Sequence, residues 1–301
     1  MVSDDSLEDF MDTLTPTVGT TQRPVVCKPF LKWAGGKAKL APYLTELFPK
    51  QIRRYYEPFL GGGSLFWTLA HEGRFESAML NDWNAELVTT YKVVRDFPDE
   101  LVDFLRERAA SYKQSPEAIF KAWAKPDRPL GPVERAGRFI FLNRTGFNGL
   151  YRLNQKGEYN VPWGKYPNPT ICNEPLLRAC SEALNKLVLI RQGDFAESCQ
   201  DATTGDLVYL DPPYVPVSET SSFTGYTERG FTLDDQYRVV ALFKELVHRG
   251  VAVVLSNSDT MEVRQMFDGF EMHSVPMRRN INSKGDKRGP ISELVVVGRR
   301  A

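Results

Sequence analysis

The sequence predicts an α/β chain: a Rossmann-like sheet interrupted by a helical insert that carries a β-hairpin. Three observations support this reading. Between Tyr55 and Asp82 a strand, a glycine-rich turn, a helix and a second strand follow one another, a unit of about 30 residues. From Glu86 to Leu142 the pattern changes to helical periodicity with many charges. From about Leu187 strands and helices alternate again.

The elements follow in order. The loop Phe30-Leu31-Lys32-Trp33-Ala34-Gly35-Gly36-Lys37 precedes a helix expected over Leu40 to Phe48. A strand at Tyr55-Tyr56 breaks at Glu57-Pro58 into Phe59-Leu60-Gly61-Gly62-Gly63-Ser64, and a helix starts at Leu65. A strand from Ser77 to Leu80 ends in Asn81-Asp82. Helices are expected at Tyr91 to Arg95, Leu101 to Tyr112, Glu117 to Trp123 and Glu134 to Leu142. Asn143 to Pro169 is turn-rich, full of Gly, Asn, Tyr and Arg. Strands at Val188 to Arg191, Leu207 to Leu210 and Val251 to Leu255 bracket a helix from Asp234 to His248. Met272 to Val297 reads as two strands around a basic loop, Arg278 to Arg288. The expected division is a disordered acidic tail over 1–24, one domain built from 25–90 and 173–301, and an inserted domain over 91–172.

Composition sets the class. The chain has 301 residues, 42% hydrophobic and 25% charged, ordinary for a globular protein with ample core. No apolar run approaches the ~18 residues that span a bilayer, so no membrane partner is expected. Met1 to Gln22 has neither Lys nor Arg and no apolar core, so it does not read as a secretory signal. Four cysteines and three histidines lack metal-ligand spacing, which points to a reduced, cytoplasmic setting and no metal. The formal charge of zero hides an asymmetry. Asp4, Asp5, Glu8, Asp9 and Asp12 lie in the first 22 residues, and the remainder carries about +5. A polyanionic partner fits that balance.

The sharpest local feature is Asp211-Pro212-Pro213-Tyr214 after the buried run Val208-Tyr209-Leu210. Two prolines forbid helix or continued sheet, so a carboxylate, a rigid turn and an aromatic ring are held at a strand's C-terminal edge. Such a turn can grip a planar amino group: the Asp211 carboxylate and the Pro212 carbonyl accept its hydrogens, and Tyr214 stacks on the base. A plain strand followed by a Pro-Pro turn is the structural alternative.

Gly61-Gly62-Gly63 lets a ligand approach the backbone, or makes a tight turn. A dinucleotide fingerprint would place a third glycine where Phe66 stands, which argues against a pyrophosphate cofactor. Asp82, 21 residues beyond Gly61 at a strand end, can accept hydrogen bonds from two ribose hydroxyls. A ribosyl cofactor without phosphate contacts fits this pattern, S-adenosyl-L-methionine above all. Gly193-Asp194-Phe195 at another strand end offers a carboxylate for an adenine amino group, or a structural turn.

Together these segments resemble the DNA adenine-N6 methyltransferases of the Dam family (D12 class). FLKWAGGK, EPFLGGGS and DPPY occur in the family's order. LNRTGFNGLYRLNQKGEYNVPWGKY (142–166) looks like its target-recognition hairpin. SFTGYTERGFT (222–232), LSNSDT (255–260) and RRNINSKGDKR (278–288) also resemble family segments. The resemblance covers residue 30 to about 297. It implies a Rossmann-like S-adenosylmethionine-dependent methyltransferase sheet with an inserted target-recognition domain. It further implies that Trp33, Lys37, Asp82 and Asp211 contact the methyl donor and that Gly61 and Gly63 line its methionine end. Lys32 would contact a guanine and Arg152 another base. Phe147 and Asn148 would wedge into the duplex, while Leu150, Pro162 and Tyr166 would touch bases or their methyl groups. The implied reaction is transfer of a methyl group to N6 of a flipped-out adenine in double-stranded DNA, within GATC. Phe147 stands where a tyrosine also occurs, a change that keeps the ring.

These roles also have a physical reading. The guanidinium of Arg152 matches the O6/N7 pair of guanine, although a hairpin arginine is commonly solvated. Arg278, Lys284 and Arg288, interleaved with polar residues, suit phosphate oxygens. Competing readings are a methyltransferase acting on cytosine N4, RNA or a protein amide, and a non-catalytic DNA-binding regulator. An NAD-dependent oxidoreductase ranks last for its missing glycine. The expected enzyme is a monomer in the cytoplasm, associated with the nucleoid and encoded by a bacterium or a phage.

Overall fold

Side chains alternate across the central strands, and the alternation divides the core between two sheet faces. The computed structural model describes residues 25–185, 187–214, 231–277 and 291–299. The acidic segment 1–24, the basic loop with Arg278, Lys284 and Arg288, and most of 222–232 lie outside the described residues. Strands β1 (Ile52–Glu57), β2 (Phe75–Asp82), β3 (Val188–Gln192), β4 (Leu207–Leu210), β5 (Ala252–Ser258), β6 (Glu271–Met277) and β7 (Ile291–Gly298) form one sheet. Its order is β3-β2-β1-β4-β5-β7-β6. The first five strands in this order run parallel, and β7 is antiparallel to both β5 and β6. Tyr55, Leu207, Tyr209 and Val254 pack on one face; Tyr56, Val208, Leu210, Val253 and Leu255 pack on the other. All four residues of β4 are buried, as a central parallel strand covered on both sides requires.

The first face is covered by α1 (Ala41–Leu47), α2 (Ser64–Glu72), α3 (Ala85–Asp96) and α7 (Glu174–Leu184). The second is covered by α8 (Leu233–His248) and α9 (Met261–Met266). Two of these helices, α7 and α9, are absent from the sequence reading. The signal for α7 was present: Asn173 caps it by accepting from the Leu176 amide, a proline sits in its first turn, and Leu176, Leu177, Cys180 and Leu184 recur on one side. Strand β5 runs three residues past the expected Leu255, because Ser256, Asn257 and Ser258 are buried and partnered.

Strand order reverses between β1 and β4, and ligands of open α/β sheets bind in the crevice outside the carboxyl ends at such a point. Glu57 ends β1 and Asp211 follows β4, so both acidic residues stand at the strand ends that border this crevice.

The helical insert comprises α4 (Pro98–Gln114), α5 (Pro116–Ala124) and α6 (Pro132–Thr145), and each helix opens on a proline whose missing N–H costs nothing at that position. Helix α6 packs against α3 and α4. The expected hairpin starts one residue after α6, since residues 142–145 are helical. It is held by two isolated antiparallel bridges, Gly146 to Trp163 and Leu153 to Tyr159, rather than by a continuous ladder. Its returning arm is tied to α4: Trp163 Nε1 donates to Tyr112 Oη at 2.9 Å, and that hydroxyl donates to the Tyr166 carbonyl at 3.1 Å.

Asn143 of α6 joins the insert to the N-terminal loop. It is fully buried, donates to the carbonyls of Lys32 and Gly149 (both 2.7 Å), and accepts from the Lys32 amide at 2.8 Å. Among the described residues no helix is long and apolar enough to cross a membrane. Asn143→Leu leaves three backbone groups without their partner, that of Gly149 buried and the two of Lys32 partly so, at roughly 1–3 kcal/mol each. Urea unfolding is expected to show a loss of at least about 3 kcal/mol; a loss below about 1 kcal/mol would mean that water replaces the amide.

Candidate active site

Lys37 ends the N-terminal loop and points into the crevice. Its ammonium is 2.9 Å from Asp211 Oδ1, donates to the Gly35 carbonyl at 2.8 Å, and lies 4.9 Å from the centre of the Tyr214 ring. Lys37 is 6% exposed and Asp211 19%, so the pair is largely shielded from water. Burial pushes the Asp211 carboxyl above the usual carboxylate range, and the Lys37 ammonium opposes that shift. Tyr214 donates to Glu293 Oε2 on β7 at 3.1 Å. Burial, together with the charges of Asp211 and Glu293, raises the Tyr214 phenol well above its ordinary range.

The glycine turn after β1 is enclosed by indole and phenol rings. Gly61 and Gly63 have φ of +49° and +65°, a region that disfavours side chains. A Cβ at Gly61 would lie 2.8 Å from Trp33 Cδ1 and Nε1, and one at Gly63 would lie 2.8 Å from Tyr91 Oη. The protein's own packing therefore requires these two glycines. Trp67 Nε1 donates to the Gly62 carbonyl at 3.1 Å, and Trp33 stacks on Phe139 of α6.

Asp82 pins the same turn from β2. Its Oδ2 accepts from the Gly61 amide and its Oδ1 from the Asn84 amide, each at 2.9 Å. Burial pushes its carboxyl above the usual carboxylate range, and the amides of Asn84 and Gly61 pull it back. At the end of β3, Asp194 accepts from the Ala196 amide at 2.9 Å and from Arg238 at 2.7 Å. The Arg238 guanidinium lies over the Phe195 ring, which stacks on Phe59 at 5.0 Å. Trp83, Asp194 and Arg238 border a cleft of about 690 Å³ that continues along α8 to Leu242 and Arg249.

The insert brings a second group together. Lys32 Nζ lies 5.0 Å from the centre of the Tyr166 ring, and Tyr166 Oη accepts from the Asn148 amide at 2.9 Å. Asn148 is left-handed at φ +54°, and its exposed neighbour Phe147 donates its amide to the Pro162 carbonyl at 2.8 Å. Leu150 is half-buried. Arg152 is exposed and braced by Asn160, with Nε to Oδ1 at 2.8 Å and Nη2 to the carbonyl at 3.2 Å.

Sequence reasoning missed four further residues around the turn. Glu57 is buried, accepts from Tyr55 Oη at 3.0 Å and from the Phe66 amide at 3.2 Å, and burial raises its carboxyl to about 8. Gln236 donates to the Pro213 carbonyl at 2.6 Å, Glu293 holds Tyr214, and Phe59 stacks on Phe195. Gln236 carried a readable signal, a polar side chain three and seven residues before the buried Val239 and Phe243 of α8.

A seven-stranded sheet of this order, parallel except for β7, with a glycine turn after β1 and acidic residues at the ends of β2 and β4, is that of the Rossmann-type S-adenosylmethionine-dependent methyltransferase class. Residues 33–281 match the family model of D12 class N6 adenine-specific DNA methyltransferases, and the chain belongs to that family. It is 39% identical over 275 residues to the type II methyltransferase M1.LlaDCHI of Lactococcus lactis subsp. cremoris, covering 89% of this chain and 94% of the relative. It is 39% identical over 285 residues to the type II methyltransferase M.MjaIII of Methanocaldococcus jannaschii, covering 90% and 98%. It is 35% identical over 268 residues to the DNA adenine methylase of Escherichia coli, covering 89% and 94%. The methyl donor of this family is S-adenosylmethionine, and its substrate is DNA.

The Glu57 carboxyl supplies a pH test. Its folded value, about 8, exceeds the ordinary 4.5, so the folded chain keeps a proton that the unfolded chain has lost. Its contribution to stability is full below about 4.5 and is lost as pH rises through about 8. Glu57→Gln removes that dependence. The melting temperature of the variant minus that of the parent is expected to increase steadily from about pH 5 to about pH 8.5; a difference independent of pH would contradict the assignment.

Proposed function

We propose that this methyltransferase acts on N6 of an adenine extruded from duplex DNA, with GATC as its site. The observation that carries the reading is the convergence of Asp211, the Pro-Pro turn and Tyr214 with Lys37 at the switch point of the sheet. Trp33, Lys37, Asp82, Asp194, Phe195 and Asp211 hold the methyl donor, with Gly61 and Gly63 along its methionine end. The residues suit it chemically: an ammonium for a carboxylate, carboxyls for ribose hydroxyls and an amino group, and an aromatic face for adenine. Each carboxylate oxygen already in use here retains a further acceptor site. When bound, the donor supplies a methyl group activated by positive sulfur.

Adenine N6 is inaccessible inside the stack, so the nucleotide leaves it at a cost of a few kcal/mol. Tyr214 stacks on the extruded base, while Asp211 and the Pro212 carbonyl accept hydrogen bonds from its amino group. Those acceptors would draw the nitrogen lone pair out of conjugation and orient it for in-line displacement, in which an N–C bond would form as the C–S bond of the donor breaks and the surplus N6 proton would pass to the Asp211 carboxylate or to water. Positioning and electrostatics carry the catalysis, with no covalent intermediate on the protein.

Residues 91–172 are the DNA-reading part of this proposal. Phe147 and Asn148 enter the duplex beside the extruded base, Lys32 contacts a guanine and Arg152 another base, each good contact being worth roughly 1–3 kcal/mol of discrimination. Leu150, Pro162 and Tyr166 touch neighbouring bases. Arg278, Lys284 and Arg288 contact phosphates. GATC rests on the likeness of residues 142–166 to the family hairpin. The enzyme acts as a monomer in the cytoplasm of a bacterium, encoded there or by a phage.

Single-molecule sequencing of unmethylated plasmid after incubation with protein and S-adenosylmethionine is expected to show N6-methyladenine confined to GATC. Methylation at another motif would overturn the site; no mark would overturn the reaction. Asp211→Ala is expected to abolish transfer while duplex binding, read by gel shift, survives. Loss of both would make Asp211 a structural residue.

A further inference from the structure

Pro212 and Pro213 have no amide hydrogens, so their turn offers only acceptors and cannot be held by a sheet ladder. Something else must fix its orientation, and donors or partners from neighbouring elements are the available means. Two such groups flank it. Gln236 of α8 is 5% exposed; its Nε2 donates to the Pro213 carbonyl at 2.6 Å, and its Oε1 accepts from Asn257 Nδ2 of β5 at 3.4 Å. Asn257 is itself 2% exposed, and its Oδ1 accepts from the Ser258 amide at 2.8 Å, which sets its amide's orientation. On the other side, Glu293 Oε2 of β7 accepts from Tyr214 Oη at 3.1 Å.

We infer that Gln236 and Glu293 are positioning residues for methyl transfer, a two-point clamp that aims the Asp211–Tyr214 turn at the extruded base. Gln236 fixes the peptide plane of Pro213, and with it the direction of the preceding Pro212 carbonyl. Glu293 fixes the tilt of the Tyr214 ring by holding its far end. Neither residue touches donor or base in this scheme, so both act through the turn. The inference rests on the role proposed above for Asp211, Pro212 and Tyr214. Misalignment of reacting groups by about 1 Å costs on the order of a hundredfold in rate, so a clamp on this turn has a large effect available to it.

The test is single-turnover methylation of a duplex, with duplex affinity and melting temperature measured on the same preparations. Gln236→Met keeps the length of the side chain and removes the donor. Its methyl-transfer rate is expected to fall at least tenfold, with duplex affinity within about threefold of the parent. Glu293→Ala is expected to fall at least fivefold, and Glu293→Gln, which keeps an acceptor, to recover to within about twofold. Tyr214→Phe combined with Glu293→Ala is expected to be no slower than the worse single variant, since both remove the same hydrogen bond. A Gln236→Met or Glu293→Ala rate within twofold of the parent, additive losses in the double variant, or losses matched by duplex affinity would overturn the clamp. If Gln236→Met does not fold, the Glu293 and Tyr214 series decides the matter alone. A parent enzyme that leaves duplex adenine unmethylated would instead overturn the reading of the site on which the clamp rests.

Discussion

The ion pair between Lys37 and Asp211 is the contact on which the site depends. It joins a loop near the start of the described chain to the end of the central strand β4, across 174 residues of sequence. An ammonium and a carboxylate both largely removed from water hold each other there. Removing one partner of such a pair typically costs roughly 3–5 kcal/mol, because the survivor is left buried and unpaired. Everything near the crevice is arranged around this pair: Tyr214 lies beneath the ammonium, and the glycine turn borders the loop through Trp33.

From that pair the architecture extends in two directions. Toward the sheet, Asp82 grips the Gly61 amide, so the ends of β1 and β2 share one carboxyl. Toward the insert, Asn143 fastens the Lys32 backbone to the start of the hairpin. A single short loop therefore carries Lys32 beside the hairpin and Lys37 beside the β4 turn, five residues apart. The two halves of the proposed chemistry, reading bases and transferring a methyl group, are thereby kept in fixed register by backbone rather than by long side chains.

Much of this was legible in the amino-acid order. The run Leu207 to Leu210 between polar residues is a buried strand on any reading, and Asp211-Pro212 cannot continue it. Two strands were expected on either side of a basic loop at the C-terminal end, and β6 and β7 stand there as an antiparallel pair. What escaped was determined by tertiary partners. Glu57 and Glu293 look like ordinary polar residues until the fold places each beside the crevice. The glycines were read as room for a ligand or as a tight turn; that Trp33 and Tyr91 occupy the space their side chains would need is a packing demand no sequence pattern displays. The hairpin has two bridges and no ladder because Phe147 to Gly149 coil into a 3₁₀ turn immediately after α6, a local choice with no periodicity to reveal it. Helix α7 was missed for a different reason: its cap and apolar spacing lay in view behind a long turn-rich segment.

The most direct test of the central claim is a crystal structure of the protein with a GATC duplex and sinefungin, a non-reactive analogue of the methyl donor. The account predicts one adenine outside the stack, its ring parallel to Tyr214 and its N6 within hydrogen-bonding distance of both the Asp211 carboxyl and the Pro212 carbonyl. An adenine left stacked in the duplex, or extruded but held away from this turn, would contradict it.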